Sequence, residues 1–400
     1  MKIAVCFTNF GPYHLARVRA LSKTLADRGD RLTAYEIAAA ERRYPWDRSR
    51  TTEPFDWVTL FPDRELEAIE PSACARAMVE VLDRDRPDAV AVAGYSRPES
   101  MAAARWARRA GRIAILMSES QAIDRPRVWW KELIKRRRVR SFASALVGGQ
   151  RHAEYLIELG MLPDRIAFGY NAVDNAAYAT RAAAWRQSDT GRAGLPEAPY
   201  FLSVCRFVPD KNLERLIAAF SRYRRQAAPG EAWDLVLSGG GPGAAGVDRA
   251  IEESGCEQAI HRPGFLQADQ LSRYYAYAGA FILPSVVEPW GLVVNEAAAC
   301  GLPLLVSERA GCAITLVPDP AGTTGLQIDP YDVEEMVTQL SWMAACSPAD
   351  RAQMGQRAAA LVSSWGPDRF ARGFVQALES CEFQDSIYHG RPHEIAAEGK

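Results

Sequence analysis

The sequence predicts an α/β protein of two doubly wound domains facing each other across a cleft, and three observations carry that expectation. Its 400 residues, 48% hydrophobic and 24% charged, exceed the roughly 250 to 300 over which one core grows. Through the first half, short apolar runs of β-compatible residues alternate with helical periodicity, the pattern of a parallel sheet covered by helices. After a looser stretch rich in turn residues the same alternation starts again. Two such domains leave ligand space at the carboxyl ends of their strands.

The first unit is residues 3–7, an apolar run that stops at Thr8-Asn9-Phe10-Gly11-Pro12 and is followed by Leu15, Val18, Leu21 and Leu25 at helical spacing. Strands are expected again at 32–37, 89–93 and 113–117, with a helix around 101–109. These place a first domain at 1–172. A linker is expected at 173–197, because Asn171-Ala172-Val173-Asp174 is followed by Ser188-Asp189-Thr190-Gly191, Gly194 and Pro196. The second domain, 198–362, opens with a strand at 200–204, then a helix carrying Leu213, Leu216, Ile217 and Phe220, and a strand at 235–237. Strands at 280–283 and 304–306 follow. A last helix is expected at 363–381, then a poorly ordered polar tail at 382–400.

With 48 Lys+Arg against 49 Asp+Glu the formal charge is −1, so no global field draws the chain to nucleic acid or an anionic membrane. The eight cysteines form no C-x-x-C pair, which argues against a disulfide framework or zinc site and for reduced thiols in a cytoplasmic protein. The apolar run before Thr8 is too short for a signal peptide, and no run approaches the roughly 18 residues of a membrane span. One local exception is 125–140, with eight basic residues against the single acid Glu132 and with Trp129 and Trp130 alongside. Basic residues with interfacial tryptophan suit peripheral docking on anionic lipid at the inner face of a membrane. They equally suit a solvated helix whose tryptophans pack inward. Nucleic acid is not expected, since no reading motif accompanies the patch.

Chemistry-bearing residues concentrate in the second half. Cys205-Arg206-Phe207-Val208-Pro209-Asp210-Lys211-Asn212 sets two cations in a strand-to-helix loop, an arrangement that suits a diphosphate through charge-assisted contacts. Gly239-Gly240-Gly241-Pro242 after a strand lets backbone approach a ligand. In residues 281–297 a strand ends at Pro284, a loop presents Glu288, and a helix opens near Gly291 with Glu296 about one turn inside. The amides of Gly291, Leu292 and Val293 are then donors at a positive helix end, ready for phosphate. The two carboxylates flank that anion site and suit sugar and ribose hydroxyls.

At these residues the sequence resembles the retaining glycosyltransferases of the GT-B fold, in their fourth sequence family. The Glu-x7-Glu motif of Glu288 and Glu296, the loop of Arg206 and Lys211-Asn212, the Gly239 turn and the Gly264-Phe265-Leu266 turn all match its pattern. The resemblance runs over nearly the whole chain and implies two Rossmann-like domains with a final helix crossing back to the first; Ser364-Trp365 before Pro367 is similar to that crossing. It implies a nucleoside diphosphate sugar, UDP- or GDP-linked, as donor and a sugar, lipid-linked or small-molecule acceptor of cell-surface glycan or glycolipid type. No cofactor or metal is implied. Carried over residue by residue, Arg206 and Lys211 hold the diphosphate, Glu288 the transferred sugar, Glu296 the ribose, and 291–293 the phosphates, with Gly11, Gly240 and Phe265 on the donor. The sequence departs from the family where many relatives place a His after the strand at 113–117, for here Ser118-Glu119-Ser120-Gln121 follows. Glu119 and His14 are the candidates for that role. Other functions on the same architecture are a phosphorylase, a nucleotide-sugar epimerase, and a non-catalytic protein that binds a nucleotide sugar or a membrane surface.

Overall fold

The computed structural model describes residues 1–42, 52–318 and 322–388. The first sheet has seven parallel strands: β1 (Lys2–Phe7), β2 (Arg31–Ala40), β3 (Asp56–Glu65), β4 (Ala89–Ala93), β5 (Ile113–Ser118), β6 (Ser144–Val147) and β7 (Ile166–Phe168), in the order β3-β2-β1-β4-β5-β6-β7. The second has six, β8 (Tyr200–Val204), β9 (Asp234–Ser238), β10 (Ile260–Gly264), β11 (Ala280–Leu283), β12 (Leu304–Ser307) and β13 (Gly325–Ile328), in the order β10-β9-β8-β11-β12-β13. Central strands such as β1 and β11 are buried on both faces, as parallel sheets require. Each order reverses direction once, between β1 and β4 and between β8 and β11. Ligands of open α/β sheets sit at such switch points, and the loops after β1, β8 and β11 are the ones singled out in the sequence.

Five strands, β3, β6, β7, β10 and β13, were not foreseen. β3 and β10 carry a proline and exposed side chains, which fits sheet edges and hides them from an apolar-run criterion. β6, β7 and β13 are three or four residues long.

The span expected as a loose linker is largely helical. Asn175–Gln187 is a helix capped by Asp174, whose Oδ1 accepts from the Ala177 amide at 3.1 Å. Tyr178 and Ala182 bury its inner face in the second domain's core beside Tyr275 and Ala298. The final helix, Pro367–Tyr388, is longer than expected and packs on the first domain. Phe370, Phe374, Ala377 and Leu378 share one apolar cluster with Ile3, Val5, Leu21 and Leu146, each buried phenylalanine contributing about 1.5 to 3 kcal/mol. Ser144 Oγ donates to Ala377 O at 2.6 Å. The part of the expected tail at 389–400 lies outside the described residues.

Candidate functional site

A cleft of about 960 Å³ runs between the two sheets. Its first wall carries Gly11, His14 and Glu119, and its second carries Arg206, Lys211, Gly240, Phe265, Glu288, Gly291, Leu292 and Val293. Of the residues given a catalytic or donor-binding role from the sequence, Glu296 alone is not on the lining.

The loop after β8 is fixed to the loop after β11. Asn212, in the left-handed region at φ +60°, donates from Nδ2 to Pro284 O at 3.1 Å and Pro330 O at 2.6 Å. Asp210 O accepts from the Val286 and Val287 amides at 2.9 and 3.3 Å. These ties bring Lys211 Nζ to 2.5 Å from Glu288 Oε2, which also accepts from Ser285 Oγ at 3.2 Å. Lys211 and Glu288, expected on separate parts of a ligand, are thus an ion pair here.

Gly291 stands at φ +98°, where an added Cβ would come within 3.0 Å of Leu283 Cδ2, so glycine is required at this turn. It leads into the helix Leu292–Ala299, whose first residues, Leu292 and Val293, line the cleft. Gly239, at φ +135°, packs so closely that a Cβ would fall 1.9 Å from Cys205 O, whereas Gly240 has open space beside it. The first glycine serves the packing of two loops and the second leaves room in the cleft.

Glu296 is fully buried. Tyr275 Oη donates to its Oε2 at 2.8 Å, and Tyr13 Oη of the first domain donates to its Oε1. Burial pushes its carboxyl up to about 7, against the opposing effect of the tyrosine hydroxyls.

On the first wall, His14 Nδ1 accepts from the Gly11 amide at 3.3 Å, and its ring lies 4.5 Å from that of Phe7. Burial, with Arg17 adding to it, pushes the imidazole down to about 3. At neutral pH the ring is therefore uncharged, and because Nδ1 accepts, Nε2 carries the hydrogen. His14 can donate a hydrogen bond into the cleft but is a poor base. Glu119 Oε2 accepts from Asn171 Nδ2 at 2.7 Å.

Several contacts cross between the domains onto the Glu288 loop, and sequence reasoning missed them. Gln121 Nε2 donates to Glu288 O at 2.9 Å. His152 accepts from the Gly149 amide at Nδ1 and so donates from Nε2 to Pro289 O at 2.8 Å. Arg309 reaches both Val286 O and Ile123 O, at 2.7 and 2.6 Å. Within the second domain's core, Trp290 also stacks on Trp365 with ring centroids 5.1 Å apart. Gln121 stood in the segment after β5, but nothing in a polar loop marks a residue that reaches the other domain. His152 has no local signal at all.

All eight cysteines are free thiols. Among the described residues, no three His, Cys, Asp or Glu side chains are grouped as a metal site, and no helix is long and apolar enough to cross a membrane.

Residues 189–361 match the family model described as glycosyl transferases group 1. Sulfoquinovosyl transferase SQD2 of Arabidopsis thaliana is 32% identical over 147 residues, 37% of this chain and 27% of that one. A GDP-mannose-dependent alpha-(1-6)-phosphatidylinositol monomannoside mannosyltransferase of Mycolicibacterium smegmatis is 30% identical over 171 residues, 41% of this chain and 43% of the relative. The chain thus spans less than half the length of these relatives. Among solved structures, α,α-trehalose 6-phosphate synthase from Burkholderia multivorans superposes with TM-score 0.74 at 14% identity over 100% of this chain and 99% of that one. HepE of Anabaena, in complex with UDP and glucose, gives 0.71 at 17% identity over 95% of this chain and 100% of its own. These likenesses extend over both domains and show the fold.

Proposed function

We propose that the chain is a retaining glycosyltransferase using a UDP- or GDP-linked sugar, a reading supported by the match of residues 189–361 to the group 1 glycosyl transferase model and by the fold shared over both domains. The observation that carries the reading is the meeting of Arg206, Lys211, Glu288 and the helix start at Gly291 on one cleft wall, at the switch point of the second sheet. Arg206, Lys211 and the amides of 291–293 hold the diphosphate and stabilise it as it leaves. Glu288 holds hydroxyls of the sugar, and Glu296 takes the ribose once Tyr13 yields. The bond from the anomeric carbon to the phosphate oxygen breaks, the acceptor oxygen bonds to that carbon on the same face, and the acceptor proton passes to the released diphosphate. With fixed cations and a helix end carrying the neutralisation, the donor binds without a divalent ion. Thermal shift in EDTA tests this: UDP or GDP at about 100 times its dissociation constant adds roughly 2.7 kcal/mol. A shift by neither nucleotide, or one that needs magnesium, contradicts the reading.

In the same reading the acceptor binds the first domain, and residues 125–140 contact the face of an anionic membrane. Support comes from the helix Trp129–Val139, in which only Val139 is buried. Trp129 is 76% exposed, and Trp130, Leu133 and Ile134 are exposed beside Lys131, Arg136, Arg137 and Arg138. The tryptophans therefore do not pack inward, the alternative that the sequence left open. In vesicle sedimentation the protein is expected to follow phosphatidylglycerol-containing vesicles and not pure phosphatidylcholine, with binding weakened by salt and by Trp129→Ser. Equal sedimentation with both lipids, or with neither, contradicts it.

A further inference from the structure

Three hydrogen-bond donors of the first domain stand on one wall of the cleft with acceptors still to be supplied. Arg17, on the helix Pro12–Asp27, lines the cleft and is 2% exposed. Its Nε donates to Ala172 O at 2.9 Å, and its guanidinium carbon lies 5.3 Å from the Tyr170 ring centroid. Its Nη2 has no partner. Glu119 acts on Arg17 electrostatically without forming an ion pair with it, and is itself held by Asn171. Asn9, also 2% exposed and on the same lining, has an unpartnered Nδ2. His14 adds the Nε2 hydrogen described above.

A buried guanidinium without a paired carboxylate is costly, and buried polar groups are normally paired. The bond to Ala172 O, at the junction of the two domains, needs one neutral donor and accounts for neither the charge nor Nη2. A structural tie alone therefore leaves the arginine unexplained. The diphosphate has its own cations on the opposite wall in Arg206 and Lys211. We propose that Asn9, His14 and Arg17 form a subsite for an anionic group, a phosphate or carboxylate, carried by the acceptor. Arg17 supplies the charge, Asn9 Nδ2 and His14 Nε2 supply directional donors, and Glu119 Oε1 accepts from a neighbouring acceptor hydroxyl. The proposal names the acceptor class for the glycosyl transfer inferred above and rests on that reading.

Calorimetric titration tests it, with sn-glycerol 3-phosphate against glycerol and D-glucuronate against D-glucose, each with and without saturating UDP or GDP. At least one anionic probe is expected to bind about tenfold or more tighter than its neutral counterpart, the scale of one charge-assisted contact, and to do so with nucleotide bound. Arg17→Met is expected to abolish that preference and Asn9→Ala to reduce it, with nucleotide affinity within about twofold of wild type in both. Should Arg17→Met fail to fold, Asn9→Ala and Arg17→Gln decide. Displacement of bound glycerol 3-phosphate by vesicles of phosphatidic acid in phosphatidylcholine supports the site with a lipid-borne source. Binding that such vesicles leave intact supports it with a soluble one. Equal binding of anionic and neutral probes overturns the proposal, as do variants that keep the preference and competition between the anion and the nucleotide. Anion preference at these residues without any nucleotide binding keeps the subsite and removes the donor reading instead.

Discussion

Glu288→Ala is expected to lower kcat by about 100-fold or more, the scale on which one preorganised electrostatic contact acts. Positive charge develops on the sugar as the nucleotide leaves, so a carboxylate at the sugar is worth more in the transition state than in the ground state. The ion pair sharpens the expectation for binding. Lys211 lies 2.5 Å from Glu288, and removing the carboxylate frees the ammonium for the diphosphate, so nucleotide affinity holds or rises. Glu296 contrasts with it, because a ribose contact is felt equally in both states and shows in KM. Glu296 has to be tested as Glu296→Gln, since Ala leaves the Tyr13 and Tyr275 hydroxyls of a buried site without their acceptor, at about 1 to 3 kcal/mol each. Steady-state kinetics separates the two. If Glu288→Ala raises KM alone at wild-type kcat, the carboxylate has no place in the chemical step.

Lys211→Ala is expected to cost more in kcat/KM than Arg206→Ala, and both at least about tenfold, since a charge-assisted contact contributes roughly 1.5 to 3 kcal/mol. The difference arises from the pair: without Lys211, Glu288 is left nearly buried with only Ser285 donating to its Oε2, and the donor loses both a cation and the carboxylate's orientation. Residues coupled in this way are not additive. The double variant Lys211→Ala with Glu288→Ala is therefore expected to lose less than the product of the single losses, while Arg206→Ala with Glu288→Ala multiplies more nearly. Wild-type turnover in either single variant removes the diphosphate assignment.

What the sequence made legible follows from what is local. The loops after β8 and β11 could be located because one short apolar strand runs into Arg206 and Lys211 and the other into the Glu288 to Gly291 turn, each within a single strand-to-helix step. Edge strands such as β3 and β10 escaped because their prolines and exposed faces carry no apolar run. The helix Asn175–Gln187 escaped because its alanines and arginines carry too weak an apolar stripe, although Asp174 caps it. The pairing of Lys211 with Glu288, the burial of Glu296 behind Tyr13, and the clamps from Gln121 and His152 all join residues distant in the chain. No spacing in a single sequence contains such contacts. Arg17 belongs with them, since on the sequence it is one more basic residue of an amphipathic helix and only its burial gives it meaning.

Transfer from an α-linked nucleoside diphosphate sugar is expected to retain configuration at the anomeric carbon. Proton NMR of the first product, recorded before mutarotation with glycerol and water as the acceptors present, tests it most directly. The donor carrying the nucleotide that binds is expected to yield an α-linked glycoside or the α-anomer of the free sugar. A β-configured first product, or no sugar transferred from either UDP- or GDP-linked donors, would contradict it.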